Sequence, residues 1–247
     1  MKLNSSLKVL STSLIALLLS LVPGQTSYGR ANLQTAVRRS QNSAKTIKVV
    51  TELPEDESIP KEFFERAQAI AVFPDVAKLN LLFSQGMKGY GVVSIRQTEG
   101  WSLPSYYRFG SSHFTAKIAG AKSFDLVILF MKKDTLDWFQ EGRFLFKGLR
   151  AGVAGPVGKL TRQADLDMSG IGVIMYMLVD GKLKGMNIDS DLLDGAYIDP
   201  DNNINNAVYG IKGREVLQGK APKSSPATVP GFTAFRDILN EKFPASK

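Results

Sequence analysis

Small or apolar residues recur at helical spacing through residues 31–51, at Leu33, Ala36, Val37, Ser40, Ala44, Ile47 and Thr51, with neither proline nor glycine to interrupt them. The spacing predicts an amphipathic helix. Arg38 and Lys45 fall across from the stripe, Arg39 on its other side and Lys48 at its edge, so the polar face is basic. The turn Leu53-Pro54-Glu55-Asp56-Glu57 ends this helix, and Ser58, Pro60 and Glu62 open a second one with acids in its first turn.

From Ala69-Ile70-Ala71-Val72-Phe73-Pro74 onward the pattern changes. Gly91–Arg96, Tyr106–Phe109, Phe124–Met131, Gly172–Asp180 and Lys182–Ile188 are β-branched or aromatic runs separated by turn residues, and they predict strands. Leu126–Met131 and Val173–Val179 lack polar alternation, which predicts burial on both faces in the interior of a sheet. Asp180-Gly181 between two such runs is a hairpin signal. Leu136, Phe139 and Arg143 predict a helix over Asp134–Phe144. Asn202–Tyr209 predicts a short helix against the low propensity of four asparagines. Lys220–Pro230 has linker composition. Phe232, Phe235, Ile238, Leu239 and Phe243 then mark one face of a terminal helix, which either docks on the domain or meets a membrane or protein partner. The expected fold class is α+β: a single β-rich domain with N-terminal helices packed against it and a short C-terminal helix.

Composition narrows the chemistry. The 247 residues are 44% hydrophobic and 22% charged, enough for one substantial core. Cysteine is absent, which removes disulfides and thiolate chemistry, and one histidine, His113, excludes a metal centre built on imidazoles. Residues 1–29 read as a leader: Lys2 and Lys8 precede an apolar run from Val9 to Val22, broken by Pro23-Gly24, with small residues suited to cleavage around Tyr28 or Arg30. Export with cleavage is the expectation, to the periplasm or outside; an uncleaved anchor is the alternative, for which the run is short. The leader holds two lysines and no acid, so its removal leaves 29 basic against 23 acidic side chains, and the net charge falls from +8 to +6. The expected layout is a leader at 1–29, a domain at 30–219, and a linker with its amphipathic helix at 220–247.

Several constellations tempt a catalytic or nucleotide reading, and each has a plainer use. Gly86-x-x-Gly89-x-Gly91 and Gly152-x-x-Gly155-x-x-Gly158 lack phosphate-loop spacing and fit tight turns or close backbone approach. Asp199-Pro200-Asp201-Asn202-Asn203-Ile204-Asn205 begins like a calcium loop but has Ile204 where glycine is needed and Gly210 where glutamate is needed; caps and turns are the plainer use, as for Asp189–Asp194. His113 near Ser111, Ser112 or Asp125 has no nucleophile elbow beside it. Trp101 reads as a core or rim aromatic. No catalytic residues, metal ligands, cofactor or nucleic-acid partner are expected.

Taken in order, Ala67-Gln68-Ala69-Ile70-Ala71-Val72-Phe73-Pro74, Gly89-Tyr90-Gly91-Val92-Val93, Gly100-Trp101-Ser102-Leu103-Pro104-Ser105-Tyr106-Tyr107, Ala154-Gly155-Pro156-Val157-Gly158, Tyr176, Gly181-x-x-x-Gly185 and Tyr209-Gly210 resemble the SYLF domain, also called the Ysc84-type actin-binding domain, over roughly residues 31–212. The resemblance implies a non-catalytic lipid-binding module whose basic N-terminal helix meets the membrane; some members bind actin. For an exported bacterial member the implied partner is an anionic phospholipid or other phosphate-bearing amphiphile at a membrane surface, with a protein partner of the C-terminal helix as the alternative. Arg38, Arg39, Lys45 and Lys48 match the basic helix. The chain departs from the family pattern at Phe146-Lys147-Gly148-Leu149, at Gly181-Lys182-Leu183-Lys184-Gly185, and at Ala116 and Ile118; the first two departures install Lys147, Lys182 and Lys184, which complete the candidate lipid-binding set. Four basic groups at about 1 kcal/mol each give about 4 kcal/mol, a dissociation constant on the order of 1 mM. Insertion of Leu33, Val37 and Ile47 would add on the order of 1.5–3 kcal/mol each, but only if that stripe is not already packed on the sheet.

Overall fold

The computed structural model describes residues 27–80, 85–111, 123–133, 137, 142–146, 172–185, 196–222 and 231–245. In chain order these form helices α1 (Ser27–Glu52) and α2 (Lys61–Arg66), then strands β1 (Ala69–Asn80), β2 (Gln85–Gln97), β3 (Gly100–Trp101), β4 (Ser105–Ser111) and β5 (Ser123–Phe130). Strands β6 (Phe144–Leu145), β7 (Val173–Val179), β8 (Lys182–Gly185) and β9 (Tyr197–Pro200) follow, and then helices α3 (Asn202–Tyr209), α4 (Gly213–Leu217) and α5 (Ala234–Lys242). The protein is α+β. Its strands make one antiparallel sheet in the order β6-β9-β4-β2-β1-β5-β7-β8, with β3 paired to β2.

Strict alternation along the strands divides the interior in two. Ile70, Val72, Val92, Tyr106, Val127, Leu129, Ile174 and Tyr176 point to the face that α1, α3 and α5 cover. Ala71, Phe73, Val93, Tyr107, Phe109, Leu126, Ile128, Met175 and Met177 form a second buried cluster on the other face. Both faces of β5 and β7 are therefore buried, as the unbroken apolar runs predicted. Asp180 and Gly181 turn between β7 and β8 with φ of 50° and 75°, the left-handed pair that a tight hairpin requires.

Pro74 lies inside β1 and does not end it. A bulge absorbs the missing donor: the register with β2 shifts between Val72 and Ala77, and that with β5 between Phe73 and Val76. Asp75 turns to φ 52° and donates its N–H to Asp125 Oδ1 at 3.0 Å, while Asp125 Oδ2 accepts from Thr46 Oγ1 of α1 at 2.7 Å. The bulge presses on β2 so closely that a Cβ on Gly91 would lie 1.9 Å from the Val72 carbonyl oxygen. Close backbone approach is thus the use of this glycine; Gly152, Gly155 and Gly158 lie outside the described residues.

Helix α5 belongs to the body. Phe232, Phe235, Leu239 and Phe243 are buried in the cluster that holds α1, and Phe243 stacks on Phe64 at 4.3 Å. Ser40 Oγ donates to the Phe232 carbonyl and accepts from the Phe235 N–H. Trp101 donates its backbone N–H to Asn240 Oδ1 and its indole N–H to the Phe243 carbonyl, so it is a core aromatic. The apolar face of the terminal helix docks.

Helix α3 forms despite its asparagines because Asn205 is used inside. Its Oδ1 accepts from the Tyr106 N–H and its Nδ2 donates to the Tyr106 and Asp201 carbonyls, which satisfies an edge of β4. The helix predicted over Asp134–Phe144 lies mostly outside the described residues, but its end is not helical: Gly142 takes φ 107° and Phe144 pairs with Ile198 as strand β6.

Candidate anion-binding surface

Helix α1 decides between the two uses of its stripe. Leu33, Ala36, Ile47 and Val50 are fully buried and Val37 is 4% exposed, so the stripe is packed on the sheet. The opposite side is left outward, with Arg30, Gln34, Arg38, Gln41, Lys45, Lys48 and Glu52 exposed in successive turns. From Arg30 to Lys48 this ridge runs about 27 Å. It carries four cations, against the single acid Glu52, which lies 3.8 Å from Lys48.

The candidate residues do not share one surface. Arg38, Lys45 and Lys48 stand on the ridge. Arg39 does not: its guanidinium is 12% exposed, pairs with Asp201 at 2.8 Å and lies 4.6 Å over the Tyr90 ring. Lys45 and Lys48 border a groove shared with Asp237, Ile238 and Glu241 of α5, so acids accompany them on one side. Lys182 and Lys184 are exposed on edge strand β8, opposite Val179 and Met177, which places them on the face away from α1. Lys147 lies outside the described residues. The reason for the dispersal is the pleat: Leu183 follows Leu178 to the helix-bearing face and sends its neighbours to the other.

Sequence reasoning missed a second cationic group, on the helix-bearing face beside α1. Arg39 and Lys88 both lie over Tyr90, at 4.6 and 5.1 Å. Tyr90 pairs across the ladder with Arg108, and Arg108 with Asp199. Asp199 Oδ2 accepts from Arg108 and lies 3.9 Å from Arg143, whose guanidinium covers the Tyr197 ring at 4.4 Å. Leu145 is the cross-strand partner of Tyr197, and together with Tyr90 it supplies the exposed large hydrophobic side chains among the described residues, 56% and 37% exposed. Four strands and α1 contribute to this patch, so no local motif announces it.

The fold accounts for the described members of the other constellations. Asp199 and Asp201, read as the start of a calcium-like loop, hold Arg108 and Arg39, and the Asp201 carbonyl accepts the N–H groups of Ile204 and Asn205 in the first turn of α3. Asp125 is occupied by Thr46 and Asp75; His113, Ser112 and the acids at 189–194 lie outside the described residues. Arg96 donates to the Ala67 and Phe64 carbonyls and lies 4.3 Å over Trp101, and burial holds it below its ordinary pKa. Burial pushes Tyr106, Tyr107, Tyr176 and Tyr209 well above the ordinary tyrosine value. Among the described residues no helix is long and apolar enough to cross a membrane.

Comparison with known families now adds to this geometry. The family described as Ysc84, Las17-binding protein actin regulator, matches residues 115–242, which is 128 of the 247 residues. The chain belongs to the Ysc84 family. No curated protein matches the sequence. The Ysc84 match runs from beyond β4 to the last residue of α5, and so takes in the C-terminal helix that composition had set apart. It is a family of binding modules. In this Ysc84-family chain α1 and its ridge precede the matched segment, whereas Arg143, Leu145, Tyr197, Asp199 and Asp201 of the patch fall inside it.

Proposed function

We propose that the protein is a non-catalytic module that binds anionic phospholipid at a cell-envelope surface after export, through the outward ridge of α1. The observation that carries this reading is the division of α1 into a sealed apolar stripe and an exposed ridge with Arg30, Arg38, Lys45 and Lys48. Because Leu33, Val37 and Ile47 are committed to the core, they are not available to enter a bilayer. Attachment is therefore peripheral and electrostatic: ammonium and guanidinium groups meet lipid phosphates, and salt screens the attraction over roughly 10 Å at 0.1 M. Four cations at about 1 kcal/mol each support only millimolar affinity, so the ridge holds a protein at a membrane already rich in anionic lipid.

The test is sedimentation of the chain without residues 1–29, the form expected after export, with phosphatidylglycerol or cardiolipin vesicles. Binding should weaken with salt, and Arg38→Glu with Lys45→Glu should cost at least about 2 kcal/mol, roughly 30-fold, before repulsion is counted. Absence of vesicle binding at low salt would overturn the reading.

The family description supports a second reading, in which the partner is a protein. Since Phe235 and Leu239 are inside, such a partner would meet the outer side of α5, where Asp237 and Glu241 are exposed. Asp237→Lys with Glu241→Lys separates the two: it strengthens vesicle binding under the first reading and destroys partner capture under the second.

A further inference from the structure

We propose that the patch beside α1 is a second anion site, built for the terminal phosphate of a lipid headgroup. The inference rests on the preceding reading for the bilayer that presents the lipid; the chemistry of the site is its own. Asp199 holds the guanidiniums of Arg108 and Arg143, yet their side chains remain 47% and 56% exposed. Each guanidinium has five N–H donors; Arg108 gives one to the carboxylate and Arg143 pairs with it at 3.9 Å without a hydrogen bond, so outward donors remain. Stacking over Tyr197 and Tyr90 holds Arg143 and Arg39 in place before any ligand arrives, which lowers the ordering cost of binding.

Charge selects among phosphates. Arg39, Lys88, Arg108 and Arg143 face Asp199 and Asp201, a surplus of two positive charges among the described residues. A phosphate monoester carries about −1.5 to −2 at neutral pH and offers three acceptor oxygens. A diester in the same place carries one charge and leaves donors unmatched. Leu145 selects the source: an exposed aliphatic side chain beside the cations, opposite Tyr197 in the ladder, suits a molecule that joins phosphate to hydrocarbon and is wasted on free phosphate.

The experiment uses the chain without residues 1–29 and three probes: phosphatidylcholine vesicles containing phosphatidic acid, the same vesicles containing phosphatidylglycerol at matched surface charge, and inorganic pyrophosphate in solution. The expected result is a preference for phosphatidic acid over phosphatidylglycerol of roughly fivefold, the worth of one further charge contact. Arg108→Ala with Arg143→Ala should erase that preference and pyrophosphate binding while leaving phosphatidylglycerol binding intact. Lys88→Glu, on an exposed strand position, is the variant least able to disturb folding and should do the same. Leu145→Ser should weaken phosphatidic acid binding and spare pyrophosphate. Pyrophosphate binding that needs the arginines, without any preference for phosphatidic acid, would overturn the headgroup assignment in favour of free phosphate. If neither probe responds to the arginine or Lys88 variants, the site itself is overturned. A wild-type chain that binds no vesicle sinks the bilayer reading and the headgroup with it, and the pyrophosphate arm then decides the site alone.

Discussion

The α1 ridge and the patch beside it are both cationic and meet at Arg38 and Arg39, adjacent residues with different fates. The ridge is a property of one helix: Arg30, Arg38, Lys45 and Lys48 recur on the side left outward once the apolar stripe turns in. The patch is a property of the fold. Arg39 reaches Asp201 across 162 residues of chain, and Arg108 reaches Asp199 across 91. Exposed charges on a regular helix survive anything that keeps the helix; charges gathered from α1, β2, β4, β9 and the turn before β6 survive only while the sheet register holds.

Removing residues 221–247 is the severest way to test that difference. Loss of buried Phe232, Phe235, Leu239 and Phe243, at about 1.5–3 kcal/mol each, withdraws roughly 6–12 kcal/mol, comparable with the whole stability of a domain. Circular dichroism should show no cooperative melt, pyrophosphate binding should vanish, and a residual salt-sensitive attraction to anionic vesicles should persist in the unfolded chain. A retained cooperative melt would contradict the integration of α5.

Alkali should act almost as strongly. Tyr106, Tyr107, Tyr176 and Tyr209 are kept neutral by burial, so their folded pKa values lie above the unfolded value near 10. Their contribution is complete below pH 10 and is lost as pH climbs toward the folded values, by up to about 5 kcal/mol per pH unit for the four together. Urea midpoints should be flat from neutral pH to about 9 and fall steeply above 10. A midpoint unchanged beyond pH 11 would refute this.

Gly91→Ala should cost about 3 kcal/mol, because the new Cβ meets the Val72 backbone, which cannot swing aside like a side chain. The strain falls beside Tyr90 and Lys88. Pyrophosphate affinity should therefore drop more than phosphatidylglycerol binding, and equal losses would mean that the two surfaces are not independent. The smallest effect is Tyr176→Phe. The Tyr176 hydroxyl is buried without a hydrogen-bond partner among the described residues, so its removal should raise stability by about 1 kcal/mol and leave both surfaces unchanged. Thermal melts and the three probes check this directly.

The legible parts of the fold are those with a short period. β5 and β7 follow from unbroken apolar runs, the β7–β8 hairpin from Asp180-Gly181, and α1 from its stripe. Pro74 inside β1 and the asparagines of α3 are tolerated through remote compensations: a bulge locked by Asp125, and an Asn205 side chain serving Tyr106. The candidate site was legible by half. Arg38, Lys45 and Lys48 stand outward as the wheel predicts, while Arg39, one residue from Arg38, turns to Asp201. Lys88 and Arg108 carried no signal, since isolated basic residues in strands resemble any solvated position, and the spacing of Arg143 pointed to a helix instead of this patch.

The amino-acid order determined α1 with its apolar and basic sides, α3, the buried strands β5 and β7 and the β7–β8 hairpin, because these depend on neighbours a few residues away. The tertiary structure alone decided that the apolar side is spent on the core, that Lys182 and Lys184 face away from α1, and that four distant cations share two aspartates and two tyrosine rings. Those outcomes depend on which strand lies beside which, and pairing among the nine strands of the described residues is set by the packing of both faces together.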